Sequence, residues 1–149
     1  MEVRGELMHN HLWGYKNNQD ELVRTLMSFR PAALLEVFVR HHRECIGEWD
    51  VVTCVPSVKR VALEPIVRSI PELARGYRQV LQELPGRPSH QLSVEHFEVI
   101  EPLNGRRVLL LDDTCTSGAA VFSSVEAIRR AGGEVVGPVV IGRFVDSTK

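Results

Sequence analysis

The stretch from Arg107 to Ile141 constrains this chain more than any other. It begins Arg107-Val108-Leu109-Leu110-Leu111-Asp112-Asp113 and continues Thr114-Cys115-Thr116-Ser117-Gly118. An amphipathic run over 119–131, the pair Gly132-Gly133 and an apolar run over 134–141 follow. An apolar run bounded by polar residues describes a strand buried on both faces. Val121, Phe122, Val125 and Ile128 fall at helical spacing and predict one buried helix face. The paired glycines end that helix. Strand, tight polar turn, helix and strand make a βαβ unit, whose crossover forces the two strands parallel. The fold class expected is α/β, with a mainly parallel central sheet flanked by helices.

The rest of the chain supplies the other layers. Trp49-Asp50-Val51-Val52-Thr53-Cys54-Val55 reads as a second buried strand ended by Pro56, and Phe97 to Glu101 alternates like a third. Pro102-Leu103-Asn104-Gly105 is a turn. The first third reads helical. Asp20 can cap a segment with Leu22, Val23, Leu26, Met27 and Phe29 on its apolar side. Pro31 is expected to break that helix or to open the next, with Ser28 as cap. Leu34, Leu35, Phe38, Val39 and Ile46 form a further stripe up to Gly47, a helix stop. Residues 57–92 carry Pro65, Pro71, Pro85 and Pro88 and predict short helices and a mobile surface loop. At 149 residues the expected organisation is one domain, a helical part over 1–47 and a core over 48–149.

Composition removes several classes of function. Hydrophobic residues make up 44% and charged residues 25%, which excludes disorder, collagen and coiled coil. A formal charge of −1 gives no electrostatic case for nucleic acid or an anionic membrane as partner. No apolar run reaches the roughly 20 residues needed to span a bilayer, and Met1 to Glu6 lacks signal-peptide character. Cys45, Cys54 and Cys115 are odd in number and form no CxxC pair, so they are read as reduced thiols of a cytoplasmic protein.

The chemistry is expected at the end of the strand that carries Asp112 and Asp113, because parallel sheets bind ligands beyond their carboxyl ends. The turn leads into a helix N-terminus, whose unpaired N–H groups and partial positive charge attract phosphate. Thr116 and Ser117 add hydroxyls, and Gly118 lets the backbone approach a ligand without a Cβ. Two carboxylates beside a phosphate cradle make sense facing sugar hydroxyls or a bridging Mg²⁺. A phosphorylated sugar satisfies both halves of the motif.

The run Val108 to Ala120 resembles the PRPP-binding signature of the type I phosphoribosyltransferases: four apolar residues, two acids, two variable positions and a Thr/Ser-rich turn with Gly. The resemblance implies that Asp112 and Asp113, the catalytic acids, hold the ribose 2′ and 3′ hydroxyls. It places the 5′-phosphate on Thr114, Cys115, Thr116, Ser117, Gly118, Ala119 and Ala120. The family usually has Thr where this chain has Ala120, which removes one phosphate donor. Val51 to Arg60 is similar to the strand and loop that hold pyrophosphate in the same family, implicating Ser57, Val58, Lys59 and Arg60. Tyr15-Lys16, Val55-Pro56-Ser57, Arg75-Gly76-Tyr77 and the run Gly105 to Asp113 resemble the competence protein ComF-like branch, without the zinc ribbon such proteins often carry.

The resemblance implies transfer of a 5-phosphoribosyl group between PRPP, with Mg²⁺ as cofactor, and a nitrogen nucleophile of a small-molecule acceptor, a nucleobase. Residues 60–92 would be the lid. The alternative is a non-catalytic PRPP- or nucleotide-binding protein of regulation or DNA uptake on the same fold. The amphipathic first third is available to pack on a second copy of the chain. Plainer readings stand beside these. Asp112-Asp113 could be a solvated strand end and Lys59-Arg60 a surface turn. Tyr15-Lys16 is read as packing and surface. His41, His42 and Cys45 lack a fourth metal ligand. Cys115 has no adjacent base and is a small filler. Arg143 follows the last strand and could reach the site.

Overall fold

The computed structural model describes residues 4–58 and 63–143, with side chains from Asn10 onward. In chain order the elements are α1 (Arg4–Asn17), α2 (Glu21–His41), α3 (Arg43–Ile46), β1 (Val51–Cys54), α4 (Glu64–Arg68) and α5 (Pro71–Ala74). They continue with β2 (Leu81–Glu83), β3 (Phe97–Val99), β4 (Arg107–Cys115), α6 (Ala119–Arg130) and β5 (Glu134–Arg143). The central sheet is parallel in the order β1-β4-β5, and β2 and β3 pair separately as an antiparallel ribbon. Tyr77 bridges Val52 and extends the sheet beyond β1.

The period of two along the strands divides the core. Val52, Cys54, Leu109 and Leu111 enter one cluster with Leu35, Val39, Ile66, Val67, Leu73 and the two tyrosines, Tyr15 and Tyr77. Val51, Val108 and Leu110 enter the other with Phe97, Leu103, Val121, Val125 and Ile128. The expected α/β architecture therefore holds, with helices on both faces of a parallel sheet.

The first third differs from its expected layout. Pro31 neither breaks nor opens a helix; it lies buried inside one continuous α2. Burial of its ring, with Leu35 and Val39 on the same side, offsets the lost backbone bond. Ser28 is no cap; its hydroxyl donates to the Thr25 carbonyl at 2.7 Å. Asp20 caps α2 as expected, accepting from Leu22 N–H at 2.9 Å. Leu22, Leu26, Phe29, Leu34 and Phe38 all face outward, because only the Pro31-Leu35-Val39 side meets the sheet.

Residues 57–92 also differ. The short helices are present, with Pro65 and Pro71 in their first turns, where no backbone donor is needed. Yet Leu63, Ile66, Val67, Ile70 and Leu73 are core residues, so 63–74 is packed structure and not lid. Residues 81–83 add a strand that the loop reading lacked. Asn104 and Gly105, at φ 51° and 75°, make the tight turn that aims β4.

Candidate functional site

β4 and β5 place the acids. Both strands run two residues further than expected, and Thr114 and Cys115 pair with Gly142 and Arg143. Thr114 and Cys115 thus belong to the strand, and the turn contracts to Thr116-Ser117-Gly118. A cleft of about 390 Å³ opens there. One wall is Asp112 to Val121; the other is Cys54 to Val58 at the end of β1, with Glu83, Arg87, Ser89 and His90 alongside. Its volume falls in the ordinary range for small-molecule sites.

Gly118 sets the cradle. Its φ of 80° is left-handed, and a Cβ there would lie 2.9 Å from the Phe122 ring. It is the N-cap of α6 and has no side chain with which to cap the helix. Ser117 Oγ accepts from the Ala119 N–H at 3.3 Å. The helix geometry leaves the Gly118, Ala120 and Val121 N–H groups without intrahelical acceptors, facing the cleft end of the turn. Thr116 and Ser117 are exposed, and Thr116 Oγ1 lies 3.5 Å from His90 Nδ1. Phe122 was expected on the buried face of α6, yet it is 63% exposed, because the ring lies over Gly118 at the helix start.

The two acids differ. Asp112 is half-buried in the cleft wall, and its Oδ1 accepts from the Asp113 N–H at 2.9 Å. Asp113 is buried, and its Oδ1 meets the Lys16 ammonium at 2.7 Å. The same ammonium donates to Thr114 Oγ1 at 3.0 Å. The sequence reading of Tyr15-Lys16 is thus half corrected. Tyr15 packs in the core, but Lys16 is an 11%-exposed partner of the site and not a surface cation. Burial, and then the Asp113 charge, push the Tyr15 phenol well above its ordinary pKa.

On the opposite wall, Ser57 and Val58 are exposed, and the Val58 N–H donates to Glu83 Oε2 at 2.9 Å. Glu83 is also paired to Arg87, whose guanidinium lies 5.5 Å from the Phe97 ring. Lys59 and Arg60, expected on pyrophosphate, lie outside the described residues. Sequence reasoning singled out Lys16 but read it as a surface residue, and it missed Glu83, Arg87 and His90. For Lys16 a signal existed, as one of only three lysines against fifteen arginines; for the others the irregular, Pro-rich segment hid the placement.

Cys115 lines the cleft and is half-buried. Arg143 ends β5, is exposed and lies outside the cleft lining. Among the described residues no group of three His, Cys, Asp or Glu is placed to hold a metal. No described helix is long and apolar enough to cross a membrane.

No protein-family model matches the chain. It is 51% identical over 39 residues to an orotate phosphoribosyltransferase of Streptomyces avermitilis, covering 26% of this chain and 21% of that one. It is 28% identical over 134 residues to the orotate phosphoribosyltransferase of Mycobacterium avium, covering 81% of this chain and 64% of the relative. The matched part thus spans less than two thirds of these relatives. Among solved structures, an adenine phosphoribosyltransferase superposes with a TM-score of 0.57 at 16% identity, over 80% of this chain and 75% of that one. The fold is that of the type I phosphoribosyltransferases.

Proposed function

We propose that this chain is a type I phosphoribosyltransferase that joins the 5-phosphoribosyl group of PRPP to a ring nitrogen of a nucleobase and releases pyrophosphate. One observation carries the reading: β4 delivers Asp112 and Asp113 to a cleft whose far end is the left-handed Gly118 and the N-terminus of α6. Similarity to orotate phosphoribosyltransferases over most of the chain supports it.

In this reading the 5′-phosphate lies on the Thr116 and Ser117 hydroxyls and on the N–H groups of Gly118, Ala120 and Val121. Ala120 contributes only its backbone. Asp112 and Asp113 accept from the ribose hydroxyls and fix the ring. The pyrophosphate then points to the loop after β1, with Ser57 and Val58, and Lys59 and Arg60 belong to the same assignment. As the C1–O bond breaks, positive charge grows at the anomeric carbon of the ring whose hydroxyls the two carboxylates hold. The nucleobase nitrogen forms the new C1–N bond, and its proton leaves with solvent or product.

Mg²⁺ suits this donor set, hard carboxylate and hydroxyl oxygens too few to form a cage, so it would be held largely by substrate phosphates and offset the leaving-group charge. The ComF-like branch belongs to the proposal. Its support is that Tyr15 and Tyr77, from two of the four segments, pack in one cluster beneath the site. A reducing, cytoplasmic location also belongs to it, supported by three free thiols.

A second copy of the chain is proposed as partner through α2. Leu22, Leu26, Phe29, Ala33 and Val37 form an exposed stripe, with Glu21 at one end and Arg40 and His41 at the other. Antiparallel pairing of two such helices about Pro31 sets acid against base at both ends and Phe29 against Ala33.

The experiment is pyrophosphate release from PRPP and Mg²⁺ with a nucleobase panel that includes orotate and adenine. Release with one base and not with base alone supports the enzyme. Ala120 favours the second reading, a binding protein without turnover. That reading expects PRPP with Mg²⁺ to raise the melting temperature and no base to release pyrophosphate.

A further inference from the structure

We infer that Lys16 is the positioning residue for the ribose-binding acid Asp113, so that the N-terminal helix α1 sets the geometry of the sugar site. The inference rests on the proposed function. Lys16 lies 98 residues from Thr114 in sequence, yet its ammonium touches both Asp113 and Thr114. Asp113 and Thr114 line the cleft and Lys16 does not, so the ammonium stands behind the acid and acts through it.

The contact is built by packing on both sides. Leu12, one turn before Lys16, lies against Gly142 of β5, where a Cβ would be 2.8 Å from Leu12 Cδ1. Gly142 is the ladder partner of Thr114, so α1 docks on the strand pair that carries the acids. Gly14 lets α1 approach α2, where a Cβ would lie 3.3 Å from Met27 Cγ. Tyr15 fills the core beside Asp113.

Electrostatics give the lysine its task. Asp113 follows Asp112 along β4, both acids line the cleft, and the anionic ligand of the proposed function would add a third negative charge that the other two disfavour. An ammonium at 2.7 Å from one oxygen offsets that repulsion and fixes the rotamer. The second carboxylate oxygen then has one orientation toward the cleft. Lys16 also holds the Thr114 side chain, so acid and strand end are fixed as a unit.

The test is calorimetric binding of PRPP with Mg²⁺, and of pyrophosphate with Mg²⁺, to the wild type, Lys16→Met, Lys16→Arg, Asp113→Asn and the Lys16→Met/Asp113→Asn double variant. Lys16→Met is expected to weaken PRPP at least tenfold and pyrophosphate less than twofold, since pyrophosphate has no ribose hydroxyls. Lys16→Arg should recover part of the PRPP loss. In the Asp113→Asn background, Lys16→Met should add less than a twofold effect. If Lys16→Met does not fold, Lys16→Arg carries the test, with a PRPP-specific loss smaller than that of Asp113→Asn. Equal losses for both ligands, or additive losses in the double variant, overturn the inference. Wild type that fails to bind PRPP overturns the proposed function as well; wild type that binds while both Lys16 variants bind equally overturns only the role of Lys16.

Discussion

Replacing Gly118 by alanine tests the proposed phosphate cradle at its narrowest point. Two separate costs can be read from the structure. The first is backbone: φ is 80°, and an L-residue in the left-handed region costs roughly 1–2 kcal/mol. The second is steric: the new methyl would lie 2.9 and 3.1 Å from two atoms of the Phe122 ring. That ring is 63% exposed and can turn away, so the steric part is small and the backbone part dominates. For a chain of this size each kcal/mol lowers the melting temperature by about 2–4 °C, so the expected loss is about 2–8 °C.

Ligand binding should suffer in parallel. If the turn relaxes toward an ordinary φ, the N–H groups at the start of α6 re-aim. Losing one hydrogen bond to a charged phosphate costs about 1.5–3 kcal/mol, which is roughly 10- to 150-fold in affinity. The assay is calorimetry with PRPP and Mg²⁺ beside a thermal melt, on Gly118→Ala, Gly118→Ala/Phe122→Leu and Cys115→Ala. The double variant should recover little, because removing the ring does not change φ. Cys115→Ala should bind like wild type, the thiol having no assigned chemistry. A Gly118→Ala protein with wild-type melting and affinity would refute the backbone argument. Full rescue by Phe122→Leu would show that crowding, and not φ, is the constraint.

Three further outcomes are expected. The Arg107 side chain and N–H hold the Asp50 carboxyl down at about 2. Its contribution to stability is therefore present above the ordinary carboxylate value of about 4 and is lost as pH falls toward 2. The melting difference between wild type and Asp50→Asn should shrink from pH 5 to pH 2.5, and a difference that grows would contradict the sign. Burial pushes the Cys54 thiol up to about 12 while Cys45 is exposed, so a disulfide reagent at pH 8 should label Cys45 at once and Cys54 only after unfolding. Leu26→Glu, in the middle of the outward stripe of α2, should convert a dimer to a monomer by light scattering without lowering the melting temperature of the monomer; a wild type that is monomeric at high concentration would remove the α2 interface.

What was legible in the sequence is what depends on neighbours along the chain. The unit from β4 to β5 is a local pattern of apolar run, small polar turn, amphipathic helix and glycine stop, and its period alone fixes the parallel sheet. Asp112, Asp113 and Gly118 came with it, because strand end and helix start are consecutive. What stayed illegible depends on distant partners. Pro31 reads as a breaker by propensity, and only the burial of its ring shows why the helix continues. α2 is apolar on more than one side, so no periodicity could say which side meets the sheet. β2 is three residues long and exists through its pairing with β3. Lys16 is an ordinary helix-end cation until α1 is laid across the end of β5.

The charges of the cleft follow from the same long-range packing. Four acids line it among the described residues: Glu64, Glu83, Asp112 and Asp113. Alone they would repel any phosphorylated ligand, and the net charge of the chain offers no rescue. Glu64, Glu83 and Asp113, however, are each joined to a cation: Glu64 to Arg68, Glu83 to Arg87 and Asp113 to Lys16. The first pair is exposed and weakens little of the field; the other two lie largely shielded from water, where screening by salt is poor and pairing counts most. Each shielded cation comes from outside the two sequence motifs, one from α1 and one from the segment after β2. In the proposed function the motif would supply the oxygen acceptors that a sugar needs, while the surrounding fold offsets charge that would keep its phosphates away. Substituting Arg87, which leaves the Glu83 carboxylate without its cation, should consequently depress affinity for the phosphorylated sugar more than for its unphosphorylated counterpart, and equal losses for ribose 5-phosphate and ribose in calorimetry would refute the charge argument.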